Sequence, residues 1–245
     1  MQGLMLAAGM GKRLAEYTNN NTKCMLKIGE TTLLERAINT LKKVGINKLI
    51  IVVGYKGENV KKFVKENIKD FEVVFIDNPD YENSNNIYSL YLAKKYLEMD
   101  DTILLESDLI YEEKLIQELV NNKNNNVAVV AKYEDWMDGT VVTIDSEERI
   151  TEFITKKEIK QENTNEYYKT VNIYKMSKEF CIKEYIPFLE AYIKAYGVNE
   201  YYELVLKAIT YINKTQIVAM PIKNIKWYEI DNSYDLNMAK TLFEK

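Results

Sequence analysis

The chain of 245 residues carries 33 basic and 37 acidic side chains, giving a net charge of −4, and it contains no histidine. This length suffices for one large α/β domain, and the mild acidic balance without a basic stripe argues against a nucleic-acid-binding protein. The missing histidine excludes Ser-His-Asp and Cys-His catalysis, histidine-ligated zinc and histidine general bases. Any chemistry must therefore use carboxylates, lysines, arginines, hydroxyls or a hard metal ion.

Other features of the whole chain favour a cytoplasmic protein. No run approaches 18 apolar residues, so we predict no membrane span, and the first strand starts too close to Met1 for a signal peptide. The cysteines, Cys24 and Cys181, show no CxxC spacing and fit a reducing compartment better than a disulfide framework. We expect a single cytoplasmic domain, and the oligomeric state is left open.

Strands and helices alternate along the first 132 residues. Apolar runs predict strands at 4–7, 49–53, 73–76, 102–105 and 127–130. Thr32 and Glu35 form a capping box for a helix that Gly45 ends. A lysine-rich helix is predicted over about 57–67, and Asn85 or Asn86 caps the next one. This alternation predicts a parallel sheet.

The pattern changes after Lys132. Short β-like runs surround a polar stretch at 155–166, which we predict to be an exposed loop; the runs lie at 139–144, 150–154 and 169–175. Helices are predicted near 187–196 and 199–212, then a strand at 226–230 and a terminal helix from Ser233. The simplest interpretation is one domain with a small inserted β-rich lobe.

The segment LAAGMGKRL, residues 6–14, places two glycines directly after the first strand. A dinucleotide fingerprint requires a third glycine where the chain has Leu14, and a Walker A loop requires a different residue at Leu6 and at Arg13. Both motifs are therefore excluded. Backbone N–H groups at the glycines, beside Lys12 and Arg13, suit a polyphosphate. The alternative is an ordinary strand-to-helix turn with solvated charges.

This segment and the following TKCMLKIG resemble the signature of the nucleotidyltransferase superfamily, L-A-A-G-x-G-x-R-L and then P-K-x-[LM], with Thr22 in place of the proline. The segments VVGYKGE, NNIYSLYLA, ESDLI and WYEID are similar, in order and spacing, to the branch that uses CTP with phosphocholine or 2-aminoethylphosphonate. AKYEDWMDGTVV and YYKTVNIYK are most similar to the aminoethylphosphonate cytidylyltransferases.

The resemblance covers nearly the whole chain and implies a Rossmann-like nucleotidyltransferase fold with a mostly parallel central sheet. Residues 1–132 would form the CTP-binding core and about 133–230 the acceptor-binding lobe. Residues 231–245 would form the terminal helix.

The resemblance also assigns the phosphate and nucleotide contacts. Lys23 matches the signature lysine that binds phosphate across the active site, and Lys12 and Arg13 would contact the β- and γ-phosphates. Arg13 and Lys23 are the expected catalytic residues, with a solvated loop lysine as the alternative for Lys23. Cytosine recognition requires an acceptor for the exocyclic amine and a donor for the carbonyl. Helix capping is the alternative role for the asparagine among the candidates. The full nucleotide-binding set is Leu6, Ala7, Ala8, Gly9, Gly11, Lys12, Arg13, Ser84, Asn85 and Ser89.

The expected reaction does not need a histidine. A phosphate or phosphonate acceptor is largely ionised at neutral pH and is already the nucleophile. Charge neutralisation and in-line alignment at the α-phosphorus are still required, and Mg²⁺ held by one or two carboxylates supplies them. Asp108 follows the strand at 102–105, where open parallel sheets place their sites. Turn formation for Asp108 and helix capping for Asp231 are the alternatives, but both aspartates match the Mg²⁺ ligands of the family.

The acceptor pocket is expected in the β-rich lobe. Glu134, Trp136 and Asp138 form an acidic and aromatic cluster, which is typical of sites that attract an ammonium or quaternary ammonium group. Core packing of the tryptophan and solvation of the acids are the alternatives. Further candidates for contacting the acceptor are Tyr168, Asn172, Glu200, Tyr201 and Trp227.

We therefore predict a cytidylyltransferase that moves CMP from CTP to a small amine-bearing phosphonate or phosphate, with Mg²⁺ as cofactor and 2-aminoethylphosphonate as the first candidate. Phosphocholine, phosphorylated amino-acid amides and sugar-1-phosphates are alternative acceptors. A nucleotide-binding regulator without turnover is the alternative from another class. The joint presence of Arg13, Lys23, Asp108 and Asp231 argues against it, because a sensor needs no complete metal site. Leu14 disfavours a dehydrogenase.

Overall fold

The computed structural model describes residues 1–14, 16–18, 21–212 and 215–244. The strands are β1 (Gln2–Ala7), β2 (Lys27–Ile28), β3 (Thr31–Thr32), β4 (Lys48–Val53), β5 (Glu72–Asp77), β6 (Thr102–Glu106), β7 (Leu109–Tyr111), β8 (Val127–Lys132), β9 (Val141–Ile144), β10 (Ile150–Ile154), β11 (Tyr168–Met176), β12 (Val218–Pro221) and β13 (Trp227–Glu229). The helices are α1 (Leu33–Lys43), α2 (Gly57–Asn67), α3 (Asn86–Leu92), α4 (Lys94–Leu97), α5 (Glu113–Asn121), α6 (Lys178–Phe180), α7 (Ile186–Tyr196), α8 (Glu203–Ile212) and α9 (Ser233–Phe243).

Nine of the described strands form one sheet in the order β10-β9-β11-β6-β1-β4-β5, with β8 joined to β11 and β12 joined to β8. Strand β1 pairs in parallel with β4 and β6, and β4 pairs in parallel with β5. Strand β11 is antiparallel to both β6 and β8, so β6 and β8 point in the same direction. The predicted α/β fold with a Rossmann-like, mostly parallel central sheet is confirmed, although β11 lies between β6 and β8.

The central strands are buried on both faces, as their continuous apolar runs predict. Side chains alternate along β1, so Leu4 and Leu6 pack in one core cluster, whereas Met5 and Ala7 pack in the other. With apolar layers on both faces, the polar groups of this sheet are concentrated in the loops at the carboxyl ends of the strands, where the candidate site lies.

Helix α1 illustrates how local sequence sets the boundaries of an element. The Thr32 hydroxyl accepts a hydrogen bond from the Glu35 N–H at 3.1 Å, and the Glu35 carboxylate accepts one from the Thr32 N–H at 2.8 Å. The predicted capping box is therefore confirmed. Just beyond the helix, Gly45 has a φ of +79°, a left-handed conformation that favours glycine.

Several elements differ from the sequence prediction. Strands β7 and β12 are short and were not predicted, nor was α5. The stretch at 155–166 is mainly exposed, as predicted, but it contains two 3₁₀ turns, Lys156–Glu158 and Gln161–Glu166. Helix α8 begins four residues later than predicted, at Glu203.

The helix predicted near 187–196 is part of a longer helical segment. It begins with α6 and passes through a π-helical turn, Cys181–Tyr185, before α7. Pro187 lies in the first turn of α7, directly after the π-helical turn, and its missing N–H accounts for the local change in hydrogen bonding. None of the described helices is both long enough and apolar enough to cross a bilayer.

Candidate active site

Two cavities meet at the carboxyl ends of β1 and β6. The smaller, of about 310 Å³, is lined by the glycine loop and the start of α3. The larger, of about 760 Å³, is lined by the β-rich region, the start of α8 and the end of β13. The residues that line both cavities are Arg13, Lys23, Asn85, Asn86, Glu106 and Asp108. The two spaces therefore form one continuous site.

The glycine loop is held close to Lys23. Gly11 has a φ of +55°, and a Cβ at this position would lie 3.1 Å from Lys23 Cγ. Glycine therefore satisfies both the backbone conformation and the close approach. Leu14, where a dinucleotide fingerprint has glycine, is fully buried in a cluster with Ile110 and Ile230. This packing places the loop against the segments that carry Asp108 and Asp231.

Most of the predicted nucleotide-binding residues line the smaller cavity. They are Leu6, Ala8, Gly9, Gly11, Lys12, Arg13, Ser84, Asn85 and Ser89. Ala7 is the exception, because its side chain is buried in the opposite face of the sheet. Asn85 also caps α3, since its side chain accepts a hydrogen bond from the Asn86 N–H at 2.8 Å. Asn85 therefore caps the helix and also lines the cavity.

Asn78 organises the serines of this wall. It was not predicted from the sequence, although it directly follows β5. Its side-chain amide donates to Ser84 Oγ at 3.1 Å and to Ser89 Oγ at 3.2 Å. Asn78 and Ser89 are both buried, whereas Ser84 is partly exposed, and all three line the smaller cavity.

Lys23 lies between the two predicted metal ligands. Its Nζ is 2.8 Å from Asp108 Oδ2 and 2.5 Å from Asp231 Oδ1, and Arg13 Nη2 is 3.1 Å from the same Asp231 oxygen. The Lys23 side chain is only 15% exposed. Burial alone would lower its pKa, but the charges of Asp108 and Asp231 outweigh burial and raise it. For Asp231, burial would raise the pKa. The charges and hydrogen bonds of Lys23 and Arg13 outweigh burial, so the pKa of this carboxyl is lowered.

A short antiparallel ladder brings the two aspartates together. Strand β13 pairs with β7, and the Ile230 N–H donates to the Asp108 carbonyl at 2.9 Å. Asn232 caps α9, because its side chain accepts from the Tyr234 and Asp235 N–H groups at 2.8 and 3.2 Å. The capping role considered for Asp231 thus belongs to Asn232, and the Asp231 carboxylate faces the cavity.

The donor set of the two aspartates fits a hard divalent cation. Asp108 Oδ1 is buried and has no hydrogen-bond partner in the structure, while Oδ2 already contacts an ammonium. In the part of the chain that the structure describes, no three or more histidine, cysteine or acidic side chains form a metal cluster. Mg²⁺ sites often use one or two carboxylates together with substrate phosphates, so two aspartates beside the glycine loop would suffice.

The lining of the larger cavity includes an ion pair between Lys169 and Glu229, of which only the lysine is fully buried. Lys169 Nζ is 3.5 Å from Glu229 Oε2, and the Asn172 side-chain amide donates to Glu229 Oε1 at 3.1 Å. Lys169 is almost completely buried, and it also donates to the Thr170 carbonyl. Burial raises the pKa of Glu229 to about 7 and raises the pKa of the nearby Glu106 well above its usual range.

The predicted acceptor-binding residues divide into two groups. Those that line the larger cavity are Asp138, Asn172, Glu200 and Tyr201. Those that line neither cavity are Glu134, Trp136, Tyr168 and Trp227. The predicted acidic and aromatic cluster is therefore split, because only Asp138 among its members reaches the cavity, where it is paired with Lys156 at 2.8 Å.

The residues outside the cavity have other partners. The Trp136 indole N–H donates to Glu134 at 2.8 Å, and its ring stacks on Tyr228 with centroids 5.2 Å apart. The Tyr168 ring lies beneath Lys132 Nζ, which is 4.5 Å from the ring centroid. Trp227 packs against the apolar core.

The residues of the larger cavity that the sequence did not predict include Glu106, Lys169, Tyr202, Glu203 and Glu229. Two of them had a usable signal, since Glu106 and Glu229 each stand two positions before a predicted metal ligand. The others are polar residues beside or within apolar stretches, a pattern that the periodicity analysis did not use.

Curated relatives of this chain act on phosphonates and on choline phosphate. The CMP-5'-(3-aminopropyl)phosphonate synthase of Streptomyces rubellomurinus is 24% identical over 99% of this chain and 39% of its own length. The 2-aminoethylphosphonate cytidylyltransferase of Lancefieldella rimae is 33% identical over 46% of this chain and 45% of its own length. The choline-phosphate cytidylyltransferase of Streptococcus pneumoniae is 37% identical over 44% of each protein. The chain thus spans less than half of the length of these relatives.

Solved structures share the fold. The CTP:phosphocholine cytidylyltransferase of Streptococcus pneumoniae superposes with a TM-score of 0.79, at 22% identity over 98% of both chains. The inositol-1-phosphate CTP transferase of T. maritima gives a TM-score of 0.75 at 23% identity, covering 100% of this chain and 95% of that one. The family model for the MobA-like NTP transferase domain matches residues 3–165, more than half of the chain. The resemblance found in the sequence is thereby confirmed, and the chain belongs to the family of MobA-like NTP transferase domains.

Proposed function

We propose that this chain is a cytidylyltransferase that transfers CMP from CTP to a small amine-bearing phosphonate or phosphate, releasing pyrophosphate. 2-Aminoethylphosphonate is the first candidate for the acceptor. The observation that carries the proposal is the position of Lys23 between Asp108 and Asp231, at the junction of a glycine-loop cavity and a larger cavity lined by many charged side chains. The printed names of the relatives support the same reaction class.

CTP is assigned to the smaller cavity. Backbone N–H groups of the glycine loop, with Lys12 and Arg13, bind the triphosphate, because a backbone nest and two cations suit a polyanion. The cytosine ring is assigned to the opposite wall, where Ser84, Asn85 and Ser89 supply polar groups beside the backbone of Leu6 and Ala8. The lining of this cavity supports the assignment of residues 1–132 to CTP and of about 133–230 to the acceptor.

Asp108 and Asp231 would hold Mg²⁺, which supplies charge neutralisation at the triphosphate when it is bound. Lys23 is released from the two carboxylates and contacts the oxygens of the α-phosphoryl group, where charge builds up. An oxygen of the acceptor attacks the α-phosphorus while the bond to the bridging oxygen of the β-phosphate breaks. The electron pair of that bond leaves with pyrophosphate. The acceptor oxygen is already ionised, so no base is needed.

The acceptor is assigned to the larger cavity, whose walls carry several carboxylates. These walls favour an acceptor with a cationic end, because a neutral sugar phosphate would leave buried carboxylates unpaired. Phosphocholine is the second candidate, favoured by the choline-phosphate relative. Against it, Trp136 stacks on Tyr228 outside the cavity and forms no part of an aromatic cage around the acceptor.

The test is pyrophosphate release from each of the four common ribonucleoside triphosphates, combined with aminoethylphosphonate, phosphocholine, a phosphorylated amino-acid amide and glucose-1-phosphate. We expect CTP with aminoethylphosphonate to give the highest kcat/KM. A preference for glucose-1-phosphate would refute the cationic pocket, and a preference for phosphocholine would refute only the choice of amine. Binding of CTP without turnover on any acceptor would favour the regulator.

A further inference from the structure

The larger cavity is lined by seven acidic and six basic side chains, and many of them pair with one another. Most of its lysines already have acidic partners: Lys23 contacts Asp108 and Asp231, Lys169 contacts Glu229, and Lys156 contacts Asp138. Within the described ranges, 1–14, 16–18, 21–212 and 215–244, no lysine or arginine lies within ion-pair distance of Glu106 or Glu203, which line the same cavity. Glu106 and Glu203 therefore have no ion-pair partner in the described part of the chain, and the less buried Glu200 has none there either.

Glu203 is the more enclosed of the two. It is the first residue of α8, is only 9% exposed, and accepts a hydrogen bond from the buried Tyr174 hydroxyl. An acidic residue in the first helical turn is favourable beside the helix dipole, which accounts for its tolerance there. A solvated carboxylate would interact with the helix dipole equally well. The dipole therefore does not explain why this carboxylate lines a cavity.

Tyr202 provides a second, independent observation. Its side chain is 1% exposed, its ring packs edge-on against Tyr174 at 5.8 Å, and it lines the larger cavity. Its hydroxyl is buried and has no hydrogen-bond partner among the residues that the structure describes. Buried hydroxyls are normally satisfied, so this group points to a ligand that completes its hydrogen bonding.

Asn86 holds these groups in one neighbourhood. Its side-chain N–H donates to Glu106 Oε1 at 3.1 Å, and its side-chain oxygen accepts from the Tyr202 backbone N–H at 3.1 Å. A single amide at the start of α3 therefore links Glu106 to the segment that carries Tyr202 and Glu203. The three oxygen-bearing side chains all line the larger cavity.

We propose that Glu203, Glu106 and the Tyr202 hydroxyl bind the primary ammonium group of the acceptor. This inference rests on the proposed function and identifies the part of the cavity that recognises the amine. A primary ammonium donates three hydrogen bonds, which matches two carboxylates and one hydroxyl oxygen. A trimethylammonium group has no N–H to donate, so it leaves the Tyr202 hydroxyl unsatisfied. The site therefore selects primary amines over choline-type head groups.

The experiment compares the equilibrium binding of 2-aminoethylphosphonate and ethylphosphonate, which differ in the amine, with Mg²⁺ and a non-hydrolysable CTP analogue present. We expect the wild-type protein to bind aminoethylphosphonate at least about 100-fold more tightly, since the amine makes charged hydrogen bonds. Glu203→Gln lowers that affinity by roughly 10- to 100-fold and changes the affinity for ethylphosphonate by less than about threefold.

Tyr202→Phe is the more stringent variant, because it removes a hydroxyl that has no protein partner and leaves the ring contact with Tyr174 in place. Its Tm stays at or above the wild-type value, and its affinity for aminoethylphosphonate falls by about 3- to 10-fold with no change for ethylphosphonate. Glu113→Gln is the matched control, since Glu113 also begins a helix but lies outside both cavities. It leaves both affinities unchanged.

Equal affinity of the wild type for the two ligands, or equal losses for both ligands in Glu203→Gln and Tyr202→Phe, would overturn the ammonium site. The binding measurement does not depend on turnover, so the two proposals fail separately. Amine-dependent binding without cytidylyl transfer would refute the reaction and retain the site. Cytidylyl transfer without any dependence on the amine would refute the ammonium site and retain the reaction.

Discussion

Lys23 and Asp231 form an ion pair with 2.5 Å between Nζ and Oδ1, and the same ammonium contacts Asp108 Oδ2 at 2.8 Å. One lysine thus neutralises the two carboxylates that are proposed to hold the metal ion. We expect a cation that bridges both aspartates to compete with this ammonium, because Asp231 Oδ1 and Asp108 Oδ2 are both occupied by Lys23. Metal entry and lysine repositioning would then be coupled in this site.

The coupling predicts that Lys23→Ala raises the affinity of the nucleotide-free protein for a divalent cation, by about tenfold or more, because a competing charge is removed. Titration with Mn²⁺, followed by electron paramagnetic resonance, measures this affinity without turnover. Lys27→Ala is the control, because Lys27 is exposed and lies outside both cavities. Unchanged Mn²⁺ affinity in Lys23→Ala would contradict the competition.

Asp108→Asn and Asp231→Asn should each lower kcat by at least about a hundredfold, as expected for losing a major electrostatic stabiliser. The fold should remain intact, because β7 and β13 pair through backbone groups. Steady-state kinetics at saturating Mg²⁺, with circular dichroism as the check on folding, tests both variants. Asp70→Asn, at an exposed position that lines neither cavity, serves as the control. Near wild-type kcat in either variant would remove that residue from the metal site.

Arg13 and Lys23 should respond differently to substitution. Arg13→Ala should weaken CTP binding and lower kcat, because the triphosphate loses a bidentate partner. Lys23→Ala should lower kcat more than CTP affinity, since its proposed role is at the reacting phosphorus. Arg13 is 63% exposed, so loss of its ion pair should barely change the stability of the protein. Calorimetric CTP affinities and kcat values separate the two roles; unchanged values in Arg13→Ala would contradict the loop assignment.

The link between the β-rich region and α8 predicts a pH-dependent contribution to stability. Hydrogen bonds from Lys207 and Thr155 lower the pKa of Glu158 from 4.5 to about 2. A depressed carboxyl pKa stabilises the folded state above the unfolded value of 4.5, and this contribution is lost as the pH falls towards 2. Because the Glu158 side chain is half exposed, we expect a contribution of only about 0.5–1 kcal/mol.

Urea unfolding of the wild type and Glu158→Gln between pH 2 and 6 measures this contribution. The difference in unfolding free energy should be present at pH 6 and vanish near pH 2. The control is Glu162→Gln, which changes an exposed residue of the same segment. A difference that persists unchanged at low pH would contradict the assignment to the Glu158 carboxylate.

The sequence predicted the parts of the fold and site whose signals are local. Apolar runs defined the central strands, the Thr32 and Glu35 pair defined the start of α1, and the glycine spacing located a loop that lines the smaller cavity. Asp108 was found because it follows a strand in a parallel sheet. Asp231 had no such signal of its own, and its selection depended on the resemblance to a family.

The acceptor side was predicted less well because it depends on tertiary packing. Glu134 and Trp136 are near Asp138 in sequence, but Trp136 stacks on Tyr228, which belongs to a strand almost a hundred positions later. Glu203 lines the cavity at the start of α8, a helix that packs against β10. No periodic pattern in the sequence predicts that contact. Local sequence patterns predict where a helix or strand lies along the chain. Which cavity its side chains line depends on packing against elements that are distant in the sequence.

The central claim is most directly tested by identifying the product formed from CTP and 2-aminoethylphosphonate with Mg²⁺. Mass spectrometry should detect the conjugate of CMP with aminoethylphosphonate, in step with pyrophosphate release, from the wild-type protein. Asp108→Asn should form it at least about a hundredfold more slowly. Hydrolysis of CTP without a conjugate, or no turnover of CTP with any amine-bearing phosphonate or phosphate, would contradict the account.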